Sequence, residues 1–414
     1  MMEKKINRKT KVIKIDEQDV KKMQRQQFLE KRRAQSKEKK SIKEKLKFSK
    51  TDIVVLVIIA IGVLLYYLIS NYHKLGFVFN KDIDSADAVV IETMNTEGVV
   101  IGYKNNIILF EKGYLTAYDS KGNREWQKKL EEIYNPEISV AGDYIQITNN
   151  DTGYIYVLDG QYEVGRIKLA GEILSASINN EGTSVVEYST SGLKTVIGVY
   201  NKKGKEQCSL KLDNNTVSSY SISDNSRYLA YAYADISGIS LVTKITVIDL
   251  KKLGQEDYLF EDIVSKNNEL VYKLFWDGNK LHAMLNNSII QYNAWSSKLE
   301  EFSISDINAT NLDIYNGRIA YITTDASTAK YVLYVDKYSG KSTKNVEIKD
   351  TPKHFVFEND LIYICSQNEI NIYNKWGSRV KTYTSDMTIT KPIIFDDGKC
   401  VALKISNKII MFKI

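Results

Sequence analysis

Histidine, the side chain that most often ligates metals or transfers protons in proteins, occurs only three times in this chain. The three are His73, His282 and His354. None of them has an acidic or cysteine neighbour at the spacing of a metal-binding motif, and the chain has no EF-hand calcium loop. It also lacks the G-x-S-x-G elbow of serine hydrolases. The sequence therefore predicts no metal, no cofactor and no catalytic residue.

Cysteines and paired carboxylates are equally weak candidates for chemistry. The cysteines form no C-x-x-C pair, so they predict buried thiols that pack as small apolar groups rather than a zinc site or a disulfide framework. They are Cys208, Cys365 and Cys400. Acidic pairs can act as general acid and base only where they converge in a pocket, and those at 261–262, 300–301 and 396–397 are interpreted as turn residues or solvated strand ends. We expect a protein that is not an enzyme.

The positive charge of the chain is concentrated at its N-terminus. The whole chain carries +6, but residues 1–50 hold 19 Lys or Arg against 7 Asp or Glu, whereas the remaining residues hold 38 against 44. Such a local excess argues against nucleic-acid binding by the chain as a whole. Residues 1–50 are rich in Lys, Arg, Gln and Glu and poor in apolar side chains, so we expect them to be partly helical or disordered.

A long apolar run follows the basic segment. Residues 53–69, IVVLVIIAIGVLLYYLI, contain no charged side chain, and extension to Tyr72 gives 20 residues. At about 1.5 Å per residue, a helix of this length spans roughly 30 Å, which is the thickness of a membrane's hydrocarbon core. No A-x-A cleavage pattern follows, which argues against a signal peptide. The sequence predicts a transmembrane helix over 51–72 and a linker over 73–86.

Lysines beside the apolar run set the expected orientation. Basic residues that flank a span stay in the cytoplasm, so the N-terminus is predicted to lie inside the cell membrane and the C-terminal region outside it. The same lysines are predicted to contact anionic lipid headgroups. They are Lys43, Lys45, Lys47 and Lys50.

An internal repeat occupies residues 87–414. Runs rich in Ile, Val, Tyr and Thr recur, and in each unit an apolar strand ends in Asp or Asn immediately before a turn. The spacings between these polar anchors are 40, 42, 48, 44, 43 and 38 residues. The anchors are Asp119, Asp159, Asn201, Asp249, Asn293, Asp336 and Asn374.

A second set of turns lies between the anchors, for example at Asn105-Asn106 and Asp277-Gly278. Two hairpins in a period of about 41 residues predict four antiparallel strands per unit, which is the blade of a β-propeller. Residues 409–414 form an eighth strand of the kind that precedes an anchor, but no outer strand follows them to complete a fourth strand of that unit. Residues 88–91 have the composition of a strand and precede the first complete unit. We expect an all-β, eight-bladed β-propeller closed by its N-terminal strand, with seven blades as the alternative.

The repeats also resemble known propeller families. The segment AYDSKGNREWQ at 117–127 resembles the repeats of pyrroloquinoline-quinone-type propellers, including the outer-membrane assembly lipoprotein family, and residues 224–230 resemble the turn of WD40-like propellers. The layout of basic tail, single span and propeller is similar to membrane-anchored propellers of Gram-positive, clostridial-type bacteria, whose function is unknown. The resemblance implies a fold and a location rather than a reaction.

The expected function is that of a non-catalytic scaffold in the cell envelope, which binds an envelope protein or a wall polymer in division, wall synthesis or sporulation. Long propeller loops commonly bind partners, and the fourth repeat has insertions at 234–244 and 250–268. The candidate partner-binding residues there are Asp235, Ile236, Ile239, Tyr258 and Phe260. Two alternatives remain open: a receptor that binds a small ligand in the propeller funnel, and an enzyme that acts on glycans.

Overall fold

The computed structural model divides the chain into two units, Met1–Tyr72 and His73–Ile414. The structure describes residues 25–33, 55, 57–64, 79–82, 88–94, 98–130, 133, 136–212, 216–235, 241–254, 263–264, 269–285, 288–303, 311–315, 317–325, 327–337, 342–395, 398 and 400–413.

The described part of the first unit is helical, at residues 25–33 and 57–64. Residues 25–33 fall in the segment expected to be partly helical. Among the described residues, no helix is both long and apolar enough to cross a membrane. Most of the predicted span over 51–72 lies outside the described residues, and so do all four predicted lipid-contacting residues, Lys43, Lys45, Lys47 and Lys50.

The second unit contains eight sheets built from antiparallel neighbours along the chain. Two short strands, β1 (Phe79–Asp82) and β2 (Val89–Glu92), precede the others. Six sheets consist of four consecutive strands, one has a fifth strand, β1, added in parallel at its edge, and one combines three consecutive strands with β2. Blade one contains β3 (Val99–Tyr103), β4 (Asn106–Glu111), β5 (Tyr114–Asp119) and β6 (Arg124–Lys129). Blade two contains β7 (Glu137–Ala141), β8 (Tyr144–Asn149), β9 (Tyr154–Asp159) and β10 (Tyr162–Lys168). Blade three contains β11 (Glu172–Ile178), β12 (Ser184–Thr190), β13 (Leu193–Tyr200) and β14 (Glu206–Lys211).

The remaining blades follow the same pattern. Blade four contains β15 (Thr216–Ile222), β16 (Tyr228–Asp235), β17 (Val242–Asp249) and β18 (Ile263–Val264), with a 3-10 turn at Leu250–Lys252. Blade five contains β19 (Lys273–Asp277), β20 (Lys280–Met284), β21 (Ser288–Asn293) and β22 (Lys298–Ser303). Blade six contains β23 (Asn311–Tyr315), β24 (Arg318–Thr324), β25 (Tyr331–Lys337) and β26 (Ser342–Ile348).

The last two blades complete the ring. Blade seven contains β27 (His354–Glu358), β28 (Leu361–Cys365), β29 (Glu369–Asn374) and β30 (Arg379–Thr384). Blade eight contains β31 (Lys391–Ile394), β32 (Cys400–Ile405) and β33 (Lys408–Lys413). The prediction of an all-β, eight-bladed propeller is confirmed, and the seven-bladed alternative is wrong.

Blade eight takes its fourth strand from the other end of the propeller. Strand β2 pairs antiparallel with β33, with Val89 opposite Met411 and Ile91 opposite Ile409. No sequence feature indicated the role of β1, which pairs in parallel with β30 at the outer edge of blade seven, where Phe79 lies opposite Lys381. Two successive N-terminal strands therefore extend the last two blades.

The core lies between neighbouring blades. Because a blade is covered on both faces, its inner strands bury consecutive apolar residues, as in β9, where four positions in a row are buried. Between blades eight and one, Ile91, Val100 and Met411 belong to one apolar cluster. Each such fully buried side chain contributes roughly 1.5–3 kcal/mol to stability. The largest fully buried side chains are four tyrosines: Tyr228, Tyr321, Tyr363 and Tyr383.

His282 is one of the core residues. It lies on β20, is fully buried, and its ring stacks on Phe275 with 4.9 Å between the ring centres. Burial, with a smaller contribution from the charge of Lys280, lowers the pKa of His282 to about 4. The neutral imidazole is therefore part of the packing between blades.

This buried histidine predicts a loss of stability in mild acid. The unfolded chain binds the proton near pH 6.5, whereas the folded chain binds it near pH 4, so the free energy of unfolding is highest above pH 6.5 and falls as the pH drops towards 4. The expected loss is about 3 kcal/mol over that window. Urea unfolding of the propeller at several pH values measures it, and the His282→Gln variant should show a smaller pH slope. His354, whose pKa burial also lowers, remains in both proteins, and equal slopes for the two would contradict the assignment to His282.

Candidate functional site

The propeller has two faces with different kinds of loop. The first strands of neighbouring blades contact one another and line a central channel. The Tyr103 hydroxyl donates to the Asp143 carbonyl (2.9 Å) and accepts from the Gly160 N–H (3.2 Å), so the two turns of blade two that contain these residues lie on one face. We call this the turn face: it carries the turns between first and second strands and between third and fourth strands. The opposite side, the loop face, carries the turns between second and third strands and the connections between blades.

The polar anchors of the repeat hold the turns between third and fourth strands. Asp119 Oδ1 accepts hydrogen bonds from the N–H groups of Lys121 (2.9 Å) and Asn123 (2.8 Å), and Gly122 closes the turn with a φ of 80°. At four other anchors, the side-chain oxygen likewise accepts a hydrogen bond from the N–H group two positions further along the chain: Asn201, Asp249, Asn293 and Asn374. Each turn thereby holds one side chain at the turn face: Lys121, Lys203, Lys251, Trp295 and Trp376.

Trp295 is the most exposed large apolar side chain among the described residues of the propeller, at 75 % exposure. Its backbone is fixed, because Asn293 Oδ1 accepts from the N–H groups of Trp295 (3.0 Å) and Ser296 (3.2 Å). The preceding Ala294 is buried, and its N–H donates to the Asn279 carbonyl (3.0 Å). A large aromatic ring is thus presented to solvent on a rigid support.

An exposed leucine lies in the same hairpin as this tryptophan: Leu299, on the outer strand β22, at 50 % exposure. Leu253, after the 3-10 turn of blade four, is a further exposed leucine. We call Trp295 and Leu299 the Trp295 surface. Exposed apolar groups that gather in one region mark sites of protein association. Sequence reasoning missed this surface, although a tryptophan in the turn two positions after the Asn293 anchor was a signal for it.

Of the partner-binding residues predicted in blade four, the structure describes only Asp235. Asp235 ends β16 at the loop face, whereas the insertion that follows Asp249 starts at the turn face. Strand β17 separates them by eight residues, roughly 26 Å of extended chain. The other four predicted residues, Ile236, Ile239, Tyr258 and Phe260, lie outside the described residues.

A polar pocket lies on the loop face of blade seven, with a volume of about 420 Å³. We call it the blade-seven pocket. Three segments form it: the connection from blade six, the turn between β28 and β29, and the end of β30. Its lining residues are Asp350, Thr351, Lys353, Ser366, Gln367, Asn368, Glu369, Thr384 and Ser385. Sequence reasoning missed it, because these residues form no local motif.

The central channel contains a second cavity, of about 430 Å³. Seven of its twelve lining residues are apolar, including Ile101, Val140 and Val356. The lining comes from the first strands of blades one, two, seven and eight, with Asn180 added from blade three. Glu358 and Lys391 are its charged lining residues. An apolar cavity with a few polar groups is the usual form of a small-molecule site.

A polar cluster links blades three and four. Ser175 Oγ donates to Glu187 Oε2 (3.1 Å) and lies 2.8 Å from the Tyr220 hydroxyl. Burial raises the pKa of Glu187 and raises the pKa of Tyr220 to about 12. These groups satisfy one another, which makes the cluster a structural link. In the described part of the chain, no three His, Cys, Asp or Glu side chains are placed to hold a metal ion.

Comparisons with known proteins agree with the propeller fold. The model of a family of unknown function, DUF5711, matches residues 80–413. The Dos1 propeller has a TM-score of 0.54 at 12% identity, over 79% of this chain and 95% of that one. BamB from Moraxella catarrhalis has a TM-score of 0.50 at 12% identity, over 79% of this chain and 100% of that one. Such identities establish the fold alone. No curated protein matches the sequence.

Proposed function

The chain belongs to the DUF5711 family of unknown function, and we propose that it is a single-pass membrane protein whose propeller lies outside the cell membrane as a non-catalytic scaffold for an envelope protein. Because the function of this family is unknown, membership of it implies no particular reaction. The proposal depends on two features of the chain: the apolar helix of the first unit and the Trp295 surface of the second.

Membrane anchoring is supported by the composition of the first unit. Six apolar side chains between residues 57 and 64 are each 50–63% exposed. A helix that is apolar on every side needs apolar surroundings, which a bilayer provides. The strongly basic residues 1–50 favour a cytoplasmic N-terminus, and the lysines at 43–50 would contact anionic headgroups.

The Trp295 surface is the observation that carries the scaffold proposal. Tryptophan is among the residues most enriched at the centres of protein interfaces. A ring on a turn that is already fixed loses little conformational freedom on binding, so more of its burial appears as affinity. Lys251, on the corresponding turn of the neighbouring blade four, would add positive charge on the same face and favour a partner with an acidic rim.

Replacement of Trp295 by alanine is expected to weaken partner binding by about 30-fold, corresponding to the loss of about 2 kcal/mol that defines an interface hot spot. The measurement is crosslinking of the tagged, full-length protein in intact cells with a reagent that cannot cross membranes, followed by mass spectrometry. Partners of the wild-type protein should be depleted in Trp295→Ala.

The Tyr162→Ala variant is the matched control. Tyr162 is 69% exposed and follows the corresponding turn of blade two, so its loss should leave the captured partners unchanged. A membrane-permeant form of the same reagent separates two kinds of failure. Capture only by the permeant reagent contradicts an external propeller, whereas equal capture by wild type and Trp295→Ala contradicts the Trp295 surface.

A small-ligand receptor is the second candidate, favoured by the cavity in the central channel. Its apolar wall and its two charged residues would suit a small amphipathic molecule. Ligands that raise the unfolding temperature of the propeller, and that lose this effect when Val356→Trp fills the cavity, would support this function.

A further inference from the structure

The blade-seven pocket is lined by polar residue types only. All nine lining residues have a side chain that can hydrogen-bond, and together they offer hydroxyls, amides, carboxylates and an ammonium group. A ligand with many hydroxyl groups needs such a mixture, because each hydroxyl both donates and accepts. The carbon atoms of these side chains form the rest of the wall and suit the C–H groups of the same ligand.

The pocket is rigid, because hydrogen bonds tie its segments together. The Ser385 N–H donates to the Asn368 carbonyl (2.9 Å), and Asn368 Nδ2 donates to the Ser385 carbonyl (3.1 Å). The third segment is held by the Lys353 N–H, which donates to the Cys365 carbonyl (2.7 Å). A site held in this way binds without first having to become ordered.

Several side chains at the rim are available to a ligand. Within the described part of the chain, the side chains of Asp350, Gln367 and Thr384 have no hydrogen-bond partner. All three are exposed, whereas Ser366 and Ser385 are buried at the base. The pocket therefore combines a fixed base with free donors and acceptors around its mouth.

The charge of the pocket selects among polar ligands. Asp350 and Glu369 outnumber Lys353, so the lining carries a net negative charge. Like charges brought together at a binding site are repelled, which disfavours phosphate-rich and other anionic polymers. The negative charge therefore favours neutral polyols and ligands that carry an amine.

From the volume, the polar lining, the rigidity and the charge, we infer that the blade-seven pocket binds a neutral or amine-bearing sugar unit of a glycan. A cavity of about 420 Å³ lies within the range of small-ligand sites and has room for a monosaccharide unit. The pocket lies on the loop face, away from the Trp295 surface. Sugar binding is therefore independent of the partner proposed above, and only the identity of the glycan as an envelope polymer rests on the proposed location.

The experiment is isothermal titration of the full-length protein in detergent micelles with a glucosamine tetramer, in N-acetylated and de-acetylated forms, and with polyphosphate as the anionic probe. We expect binding of at least one glucosamine form and none of polyphosphate. Gln367→Ala and Thr384→Val should each weaken binding by about tenfold, because each removes one polar contact to the sugar. Within the described part of the chain, neither side chain has a hydrogen-bond partner, so neither substitution should disturb the fold.

Gln161→Ala, an exposed glutamine on the turn face, is the matched control and should bind as the wild type does. The Trp295→Ala variant should also keep its affinity for sugar, so failure of the partner proposal and failure of this one are distinguishable. The inference is overturned if neither tetramer binds, if polyphosphate binds more tightly than both, or if Gln367→Ala and Thr384→Val both bind as tightly as the control.

Discussion

A propeller that begins at residue 95 is expected to lose its cooperative unfolding transition, whereas one that begins at residue 86 keeps it. The shorter chain lacks β2, so the apolar strand β33 becomes an open edge and the cluster around Met411 loses Ile91. Loss of two apolar side chains, Val89 and Ile91, and of the β-ladder removes on the order of 5 kcal/mol. That is comparable with the whole net stability of an ordinary domain.

Urea unfolding followed by circular dichroism measures this effect, with the chain from residue 86, which also lacks β1 but keeps β2, as the control. We also expect the shorter chain to aggregate, because an exposed apolar edge strand pairs with other molecules. A sharp transition in the chain from residue 95, with an unchanged midpoint, would mean that the ring closes without β2.

Arg227→Ala is expected to destabilise the propeller by about 3 kcal/mol, because it leaves a buried carboxylate without its cation. Asp249 is fully buried, and its Oδ2 accepts from Arg227 Nη2 (2.7 Å) and Nε (3.0 Å). Burial raises the pKa of Asp249, but the hydrogen bonds from Arg227 and from the Lys251 N–H outweigh it and hold that pKa below its ordinary value. The bond from Lys251 survives the substitution, which places the expected loss at the lower end for a buried pair.

Two further variants test the origin of this loss by urea unfolding. Lys203→Ala removes an exposed lysine from the corresponding turn of blade three and should cost less than about 0.5 kcal/mol. Asp249→Asn added to Arg227→Ala should restore part of the stability, because the stranded charge is gone. If the double variant were less stable than Arg227→Ala, the buried, unpaired charge of Asp249 would not be the cause.

The expected scaffold and the inferred sugar site use opposite faces of one ring. The Trp295 surface presents a rigid apolar anchor, and the blade-seven pocket presents fixed polar groups. A propeller can carry both because each blade contributes separate turns to each face.

The repeat and its closure could be predicted from the sequence because the signals for both come from residues that are close along the chain. An Asp or Asn anchor accepts hydrogen bonds from its own turn, so its position recurs wherever the turn recurs, and the apolar strands before it follow from packing on both faces. Asn201 and Asn374 are examples: the structure places each at the turn that its sequence context predicts. The count of eight blades follows from the number of such units.

Other features depend on which distant residues the closed ring brings together. Strand β1 lies beside β30 although some 300 residues separate them, and a four-residue strand carries no local signal for a parallel partner. The insertions of blade four are near in sequence, yet β17 places their starting points on opposite faces. The blade-seven pocket is assembled from segments between Asp350 and Ser385 that share no motif. Periodicity and turn chemistry are local, and they sufficed for the architecture. Exposure, pocket shape and the pairing of Arg227 with Asp249 depend on packing between segments, so only the tertiary structure decided them.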